Sequence, residues 1–173
     1  SMSESFLNIA CYPLAKYGAE QLSKRLGMKF LYLPFSFHYD EINAQLKSLV
    51  KEMPGAVMPD TSLLRKRCER ILQETKELVG DTKITLDATV VPRLLGLTRL
   101  LISHGFSVER IFTDAFSAEE KEDYLWLKEN APNLKVCATI HPNMRVYPRN
   151  PQEKILAIGQ KAAYFSGTEH FVN

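Results

Sequence analysis

Two rhythms of apolar residues alternate along the 173 residues. Short apolar runs of strand length are followed by longer segments in which apolar residues return every three or four positions. "FLNIACY" reads as a short buried strand, and "PLAKYGAEQLSKRLG" as a helix with Ala15, Ala19, Leu22 and Leu26 on one face. Pro13 suits the first helical turn and Gly27 a stop. "MKFLYLPFSF" is the next strand, ended by Pro34. Strand, helix and strand at this spacing predict a βαβ unit with parallel pairing. "HYDEINAQLKSLVKEM" follows as a second helix, with Ile42, Leu46, Leu49, Val50 and Met53 as its stripe.

After the break "PGAVMPD", Asp60 or Thr61 caps a long polar helix that Gly80 closes. Its stripe is Leu64, Cys68, Ile71, Leu72, Thr75, Leu78 and Val79. A second series then begins. "KITLDAT" is a strand, "VVPRLLGLTRLLISHG" a helix stopped at Gly105, and "FSVERIFTDAF" a strand. In "SAEEKEDYLWLKENAP", Ser117 and Glu120 form a capping box at the start of a helix. "LKVCATIHP" is a strand, "PQEKILAIGQKAAYFSG" a loop, strand and helix, and "EHFVN" opens another strand. This order predicts an α/β protein of mainly parallel sheets flanked by helices. Its expected parts are a first α/β unit at 2–59, a connector helix at 60–80 and a second α/β unit at 81–173. A final strand with no element after it is expected in an internal piece of a longer polypeptide.

Composition narrows the field. Apolar and charged fractions of 45% and 24% are those of a globular protein. A net charge of +2 gives no argument for a nucleic-acid partner. No apolar run reaches the roughly 20 residues that span a bilayer, and the start "SMSESFLN" is no secretory signal. Cys11, Cys68 and Cys137 are far apart and form no CxxC pair, so neither a zinc knuckle nor a disulfide framework is indicated. A reducing, cytoplasmic setting is the simplest expectation.

Open parallel sheets bind ligands beyond the carboxyl ends of their strands. The residues there are Cys11 and Tyr12; Ser36, His38 and Tyr39; Asp87, Thr89 and Arg93; Asp114; His141; and Gly159, Gln160 and Lys161. No GxGxxG, P-loop, HExxH or GxSxG motif accompanies them. Cys68 and Cys137 read as core thiols, His104 as a structural cation at a helix end, and His141 as a surface-loop residue. Cys11 has two readings. It is either a buried thiol or a ligand, since it ends a strand where a following helix dipole favours a thiolate.

"LNIACYPLAKYGAEQLSKRLGMKFLYLPFSF" resembles the nitrogenase component 1 family, which includes the molybdenum–iron protein subunits, cofactor-assembly scaffolds and tetrapyrrole reductases. In that family a similar "CY" ends a strand, and its cysteine binds the iron–molybdenum cofactor; Cys11 falls on it. "KITLDATVVPRLLGLTRLLISHGF" resembles the next strand, loop and helix, with Arg93 at the position of an arginine beside the cofactor. "EKILAIGQKAAYFSGTEHFVN" resembles a later stretch in which Lys161 is the matching cation. The resemblance implies Rossmann-like units of the nitrogenase component 1 type.

There are departures from the family pattern. Ala10 stands where nitrogenase has His, and Val90 and Val91 replace a Gly pair that leaves room for the cofactor. The family's histidine ligand falls beyond Asn173, and no role is carried to His170. The cysteines of the electron-transfer cluster belong upstream. These differences point away from dinitrogen reduction.

The resemblance therefore implies a nitrogenase-like oxidoreductase. Cys11 would bind an iron–sulfur or molybdenum/iron–sulfur cluster, with Arg93 and Lys161 balancing its charge. The implied partners are a homologous component 1 subunit and an ATP-dependent iron protein, with no nucleic acid and no membrane. No cofactor and no activity are expected of this piece alone. The alternatives are a non-catalytic cofactor-assembly scaffold or small-molecule-binding module of the same fold, and a domain that has lost its cofactor.

Overall fold

The computed structural model describes residues 5–149 and 153–173. The chain divides into two compact units, Ser1–Lys66 and Arg67–Asn173. The division falls inside a long helix rather than at either of its ends.

In the first unit, strand β1 (Asn8–Ala10) pairs in parallel with β2 (Phe30–Tyr32). Helix α1 (Pro13–Leu26) joins them, and α2 (Tyr39–Glu52) follows. Pro13 occupies the first turn of α1, where its missing N–H goes unnoticed. Gly27 ends α1 at a φ of 65°, in the left-handed region that a Cβ disfavours. The strands are shorter than the apolar pattern predicts. The Leu33 N–H still reaches the Ala10 carbonyl at 2.9 Å, and pairing stops before Pro34. The core of this unit is small, with Ala10 and Met28 as its buried apolar residues among those described. None of the described residues of α1 or α2 is buried.

The second unit begins within α3 (Ser62–Val79) and continues as β3 (Lys83–Asp87), α4 (Leu94–Ser103), β4 (Val108–Phe112), a 3-10 turn Ala118–Glu120, α5 (Lys121–Asn130), β5 (Lys135–Cys137), a 3-10 turn Pro142–Val146, β6 (Ile155–Ile158), α6 (Gln160–Ser166) and β7 (Phe171–Val172). The five strands form one sheet in the order β5-β4-β3-β6-β7, and every pairing is parallel. The chain runs outward from the central β3 to one edge, then restarts at β6 and runs to the other. This is the doubly wound, Rossmann-like arrangement.

Alternation along β3 explains both layers of packing. Ile84 and Leu86 turn to one face and join Leu94, Leu95, Leu101, Phe106, Ile111 and Leu127 in the larger core. Thr85 and Asp87 turn to the other, where α6 lies. The Thr85 hydroxyl meets the Ser166 hydroxyl at 3.0 Å, and Phe112, Ala157, Ala162 and Ala163 form a second core. A strand covered on both faces has no solvent side, and Thr85 and Asp87 are fully buried polar residues inside it. At the other end of the sheet, Glu109 links Lys83, Arg110 and Lys135 across three strands. Burial pushes the Glu109 carboxyl up, but Arg110, Lys135 and Lys83 together outweigh it and hold the group below the usual range.

Two expectations are corrected. Cys68 is exposed rather than packed in a core. It shares a stripe with Leu64 and Ile71, which are also exposed, while Leu72 and Val79 pack partly against the larger core. Helix α4 begins at Leu94, four residues later than the apolar run suggests. A turn from Asp87 to Val90 and the restriction that Pro92 places on Val91 delay it. The Ser117–Glu120 capping box forms as read, with both reciprocal bonds present. Glu120 also accepts from the Leu95 N–H at 2.9 Å and so ties the start of α4 to the start of α5.

The same junction holds a buried ion triad. Asp123, 0% exposed, accepts from Arg93 at 3.1 Å and from Arg99 at 3.3 Å. Removing one partner of a buried pair strands the other charge, so Asp123→Ala is expected to lower the unfolding free energy by about 3–5 kcal/mol. Urea unfolding followed by the fluorescence of Trp126, the single tryptophan, measures this. A loss below about 1 kcal/mol, the scale of an exposed pair, would contradict it.

Candidate functional site

Both units present residues at the carboxyl ends of parallel strands. In the first, Cys11 directly follows β1 and is partly exposed, with its thiol free. Tyr12 is the N-cap of α1, in extended backbone, and makes no side-chain cap bond. The first turn of α1 carries no acidic residue. Its N-terminal amides thus face the Cys11 region without a carboxylate to neutralise them. Beyond β2, the Phe35 ring meets the Tyr12 ring edge-on, with centroids 5.7 Å apart. Ser36 and His38 build the start of α2. The Ser36 hydroxyl donates to Glu41 at 2.6 Å and accepts from the His38 amide at 3.0 Å. Tyr39 lies under the Arg65 guanidinium at 4.7 Å.

In the second unit the residues fall into two groups. One surrounds Asp87 at the point where the strand order reverses, between β3 and β6. Its Oδ1 accepts from the Thr89 amide at 2.7 Å and from the Thr89 hydroxyl, and its Oδ2 accepts from the Ala162 amide at 2.7 Å. Gly159 runs against this carboxylate at φ 110° and ψ 156°, a region essentially restricted to glycine. A Cβ there would overlap the Asp87 carboxylate. An aspartate side chain therefore fills the space beside Gly159 where the strand order reverses.

The other group lies beyond β4, β5 and β6. Asp114 accepts from the Thr139 hydroxyl at 2.6 Å and from the Ile140 amide at 3.0 Å. Lys161 donates to the Thr139 hydroxyl at 3.2 Å and stands 3.6 Å from Asp114. The Thr139 hydroxyl, with the Ile140 amide and the Lys161 ammonium, holds the Asp114 carboxyl below the usual carboxylate range despite a small opposing effect of burial. Lys161 is half-exposed and keeps an open side toward solvent.

Of the residues expected to face a cofactor, Cys11 and Lys161 are accessible, in different units. Arg93 is 5% exposed and its Nη2 donates to Asp123 and, at 3.0 Å, to the Glu119 carbonyl. Its charge is spent inside the second unit. Gln160 is exposed, and His141 caps a surface turn by accepting from the Asn143 amide at 3.2 Å. Thr139 and Asp123 were not singled out by the sequence. Thr139 was hidden because the apolar run "LKVCATI" reads as one strand, whereas β5 stops at Cys137 and leaves Thr139 at its carboxyl end. Among the described residues, no group of three or more His, Cys, Asp or Glu side chains is placed to hold a metal ion. No described helix is long and apolar enough to cross a membrane.

Comparison with solved structures gives the decisive likeness. The chain superposes on the structure described as "Nitrogenase Cp1 at pH 6.5" with a TM-score of 0.61 over 99% of its own length, at 17% sequence identity. It has a nitrogenase-like fold. The chain spans 38% of the length of that nitrogenase chain. No family model matches the sequence, and no curated protein matches it. At this identity the nitrogenase-like fold is shared, while the residues that do chemistry have to be argued separately.

The close approach of Gly159 to Asp87 can be tested. Gly159→Ala forces both a strained backbone and displacement of Asp87, so a loss of about 2–4 kcal/mol in unfolding free energy is expected from strain and overpacking together. Thermal unfolding monitored by circular dichroism measures it, and an unchanged midpoint would show that the approach is not tight.

Proposed function

We propose that this chain is part of a nitrogenase-like component 1 protein and that Cys11 supplies a thiolate ligand to a metal–sulfur cluster. The observation that carries this reading is the setting of Cys11. It is a free, partly exposed thiol at the carboxyl end of a parallel strand, ahead of a helix whose first turn lacks an acid and a side-chain cap. Cysteine sulfur is the soft ligand that iron of such clusters binds. The chemistry fits one ligand of a cluster completed by other residues, since no group of three or more His, Cys, Asp or Glu side chains among those described is placed to hold a metal ion.

When bound, such a cluster supplies one-electron redox chemistry. The chain's own residues have simpler tasks. Cys11 would hold the iron through its sulfur. Lys161 offers a cation at the carboxyl edge of the second sheet, kept in place by Thr139 and Asp114. Arg93 acts as a positioning residue that fixes α4 against α5 through Asp123. The family likeness supports a homologous component 1 subunit and an ATP-dependent iron protein as partners.

A second reading draws on the charge balance. Lys161 pairs with Asp114, and Arg93 is buried against Asp123, which it shares with Arg99, so neither cation is left free for a reduced cluster. That favours a non-catalytic scaffold that holds a precursor cluster or a small molecule and releases it.

Iron and labile sulfide assays with visible and EPR spectra, on the full protein purified without oxygen, test the main reading. Wild type is expected to carry iron and Cys11→Ala to lose most of it. Iron retained in the variant would remove Cys11 as a ligand. Reduction of the bound cluster by the iron protein and ATP separates an enzyme from a scaffold.

A further inference from the structure

Helix α3 carries the division between the two units, yet none of its described residues is buried. In the second unit Leu72 and Val79 pack partly against the larger core, and Leu78 is 88% exposed. A polar attachment is the side chain of His104, the residue that ends α4. Its Nδ1 lies 2.7 Å from the Leu100 carbonyl, and its Nε2 lies 3.1 Å from Glu69 of α3.

Proton counting gives this contact its character. A carbonyl oxygen can only accept, so Nδ1 must carry a hydrogen to bond Leu100. The second contact then needs a proton between Nε2 and the Glu69 carboxylate. Above the ordinary carboxylate range that proton belongs to the imidazole, and the ring is doubly protonated. A neutral imidazole satisfies one contact and turns a lone pair toward Glu69 or toward the Leu100 carbonyl. The two bonds exist together only with the imidazolium.

We propose that His104 and Glu69 form a proton-dependent latch that fastens the start of the second unit's part of α3 to the end of α4. This inference is independent of any cluster at Cys11. The surrounding groups are consistent with it. The Ser103 hydroxyl lies 3.3 Å from Nδ1 and itself donates to the Leu100 carbonyl at 2.9 Å. From α3, Lys76 passes beside Gly105, but its ammonium is occupied by the Gly80 carbonyl at 2.6 Å and by Asp81 at 3.2 Å. Glu69 is thus the charged group that acts on the ring. Burial pulls the imidazole pKa down, but the Leu100 carbonyl and Glu69 together outweigh it and leave it above the ordinary histidine value.

The sign follows from that direction. A pKa raised on folding means that the latch is fully present below about 6.5, the value for unfolded histidine, and is lost as pH rises through the folded value. Nitrogen-detected imidazole NMR on the full chain, with amide exchange corrected for intrinsic rates, tests it. Both His104 ring nitrogens are expected to be protonated at pH 6. Its titration midpoint should lie above the ordinary histidine value of about 6.5, and Glu69→Gln should lower it. Exchange at residues of α3 near Glu69 should quicken several-fold as His104 deprotonates, and in Glu69→Gln it should be fast at every pH. A His104 midpoint at or below about 6.5 would overturn the latch. So would a normal titration with no change in α3 exchange. The backbone fold can be checked in each variant by unchanged exchange in β3 and β4.

Discussion

A carboxylate taken out of water is destabilising by several kcal/mol unless its lone pairs are occupied. Asp87 stands at the end of the central strand with no exposure, and its oxygens are filled by the Thr89 amide and hydroxyl and by the Ala162 amide. These bonds join the two halves of the doubly wound sheet where the strand order reverses. They place α6 against β3 and demand glycine at 159, because a side chain there would displace the carboxylate. The second core, around Phe112 and Ala162, assembles behind that junction. Much of the second unit's geometry follows from satisfying this one group.

Asp87 also bears on function, because it stands at the strand-order reversal where many doubly wound folds bind dinucleotides. The remaining open chemistry at the carboxyl edge is the Lys161, Thr139 and Asp114 group, which is charge-balanced and half-exposed. In the first unit it is Cys11. Neither group is a complete site, and the two lie in separate units. The chain shares a nitrogenase-like fold and corresponds to 38% of the nitrogenase chain it resembles. Among the described residues of the first unit, Ala10 and Met28 are the buried apolar side chains, while Leu14, Tyr17, Phe35 and Val57 are exposed.

The sequence on its own was enough for the succession of elements, the parallel pairing, the Ser117–Glu120 capping box and the glycine stops. Each depends on neighbours a few residues apart, where period, capping chemistry and left-handed backbone leave local signatures. It also marked Cys11, because a cysteine between a strand and a Pro-initiated helix is visible in seven residues. The side-chain commitments across the fold were decided by tertiary structure. Arg93 is an arginine in a loop by sequence. It becomes one arm of a buried triad because Asp123 and Arg99, 30 and 6 residues further on, pack beside it. Cys68 sits on a helical stripe by sequence and is exposed because the core covers only part of that helix. Asp87 is one polar residue in an apolar strand until Ala162 arrives from the far side of the sheet. Local patterns determine which elements form; which charges meet, and which apolar faces are covered, depends on distant segments whose approach no short window records.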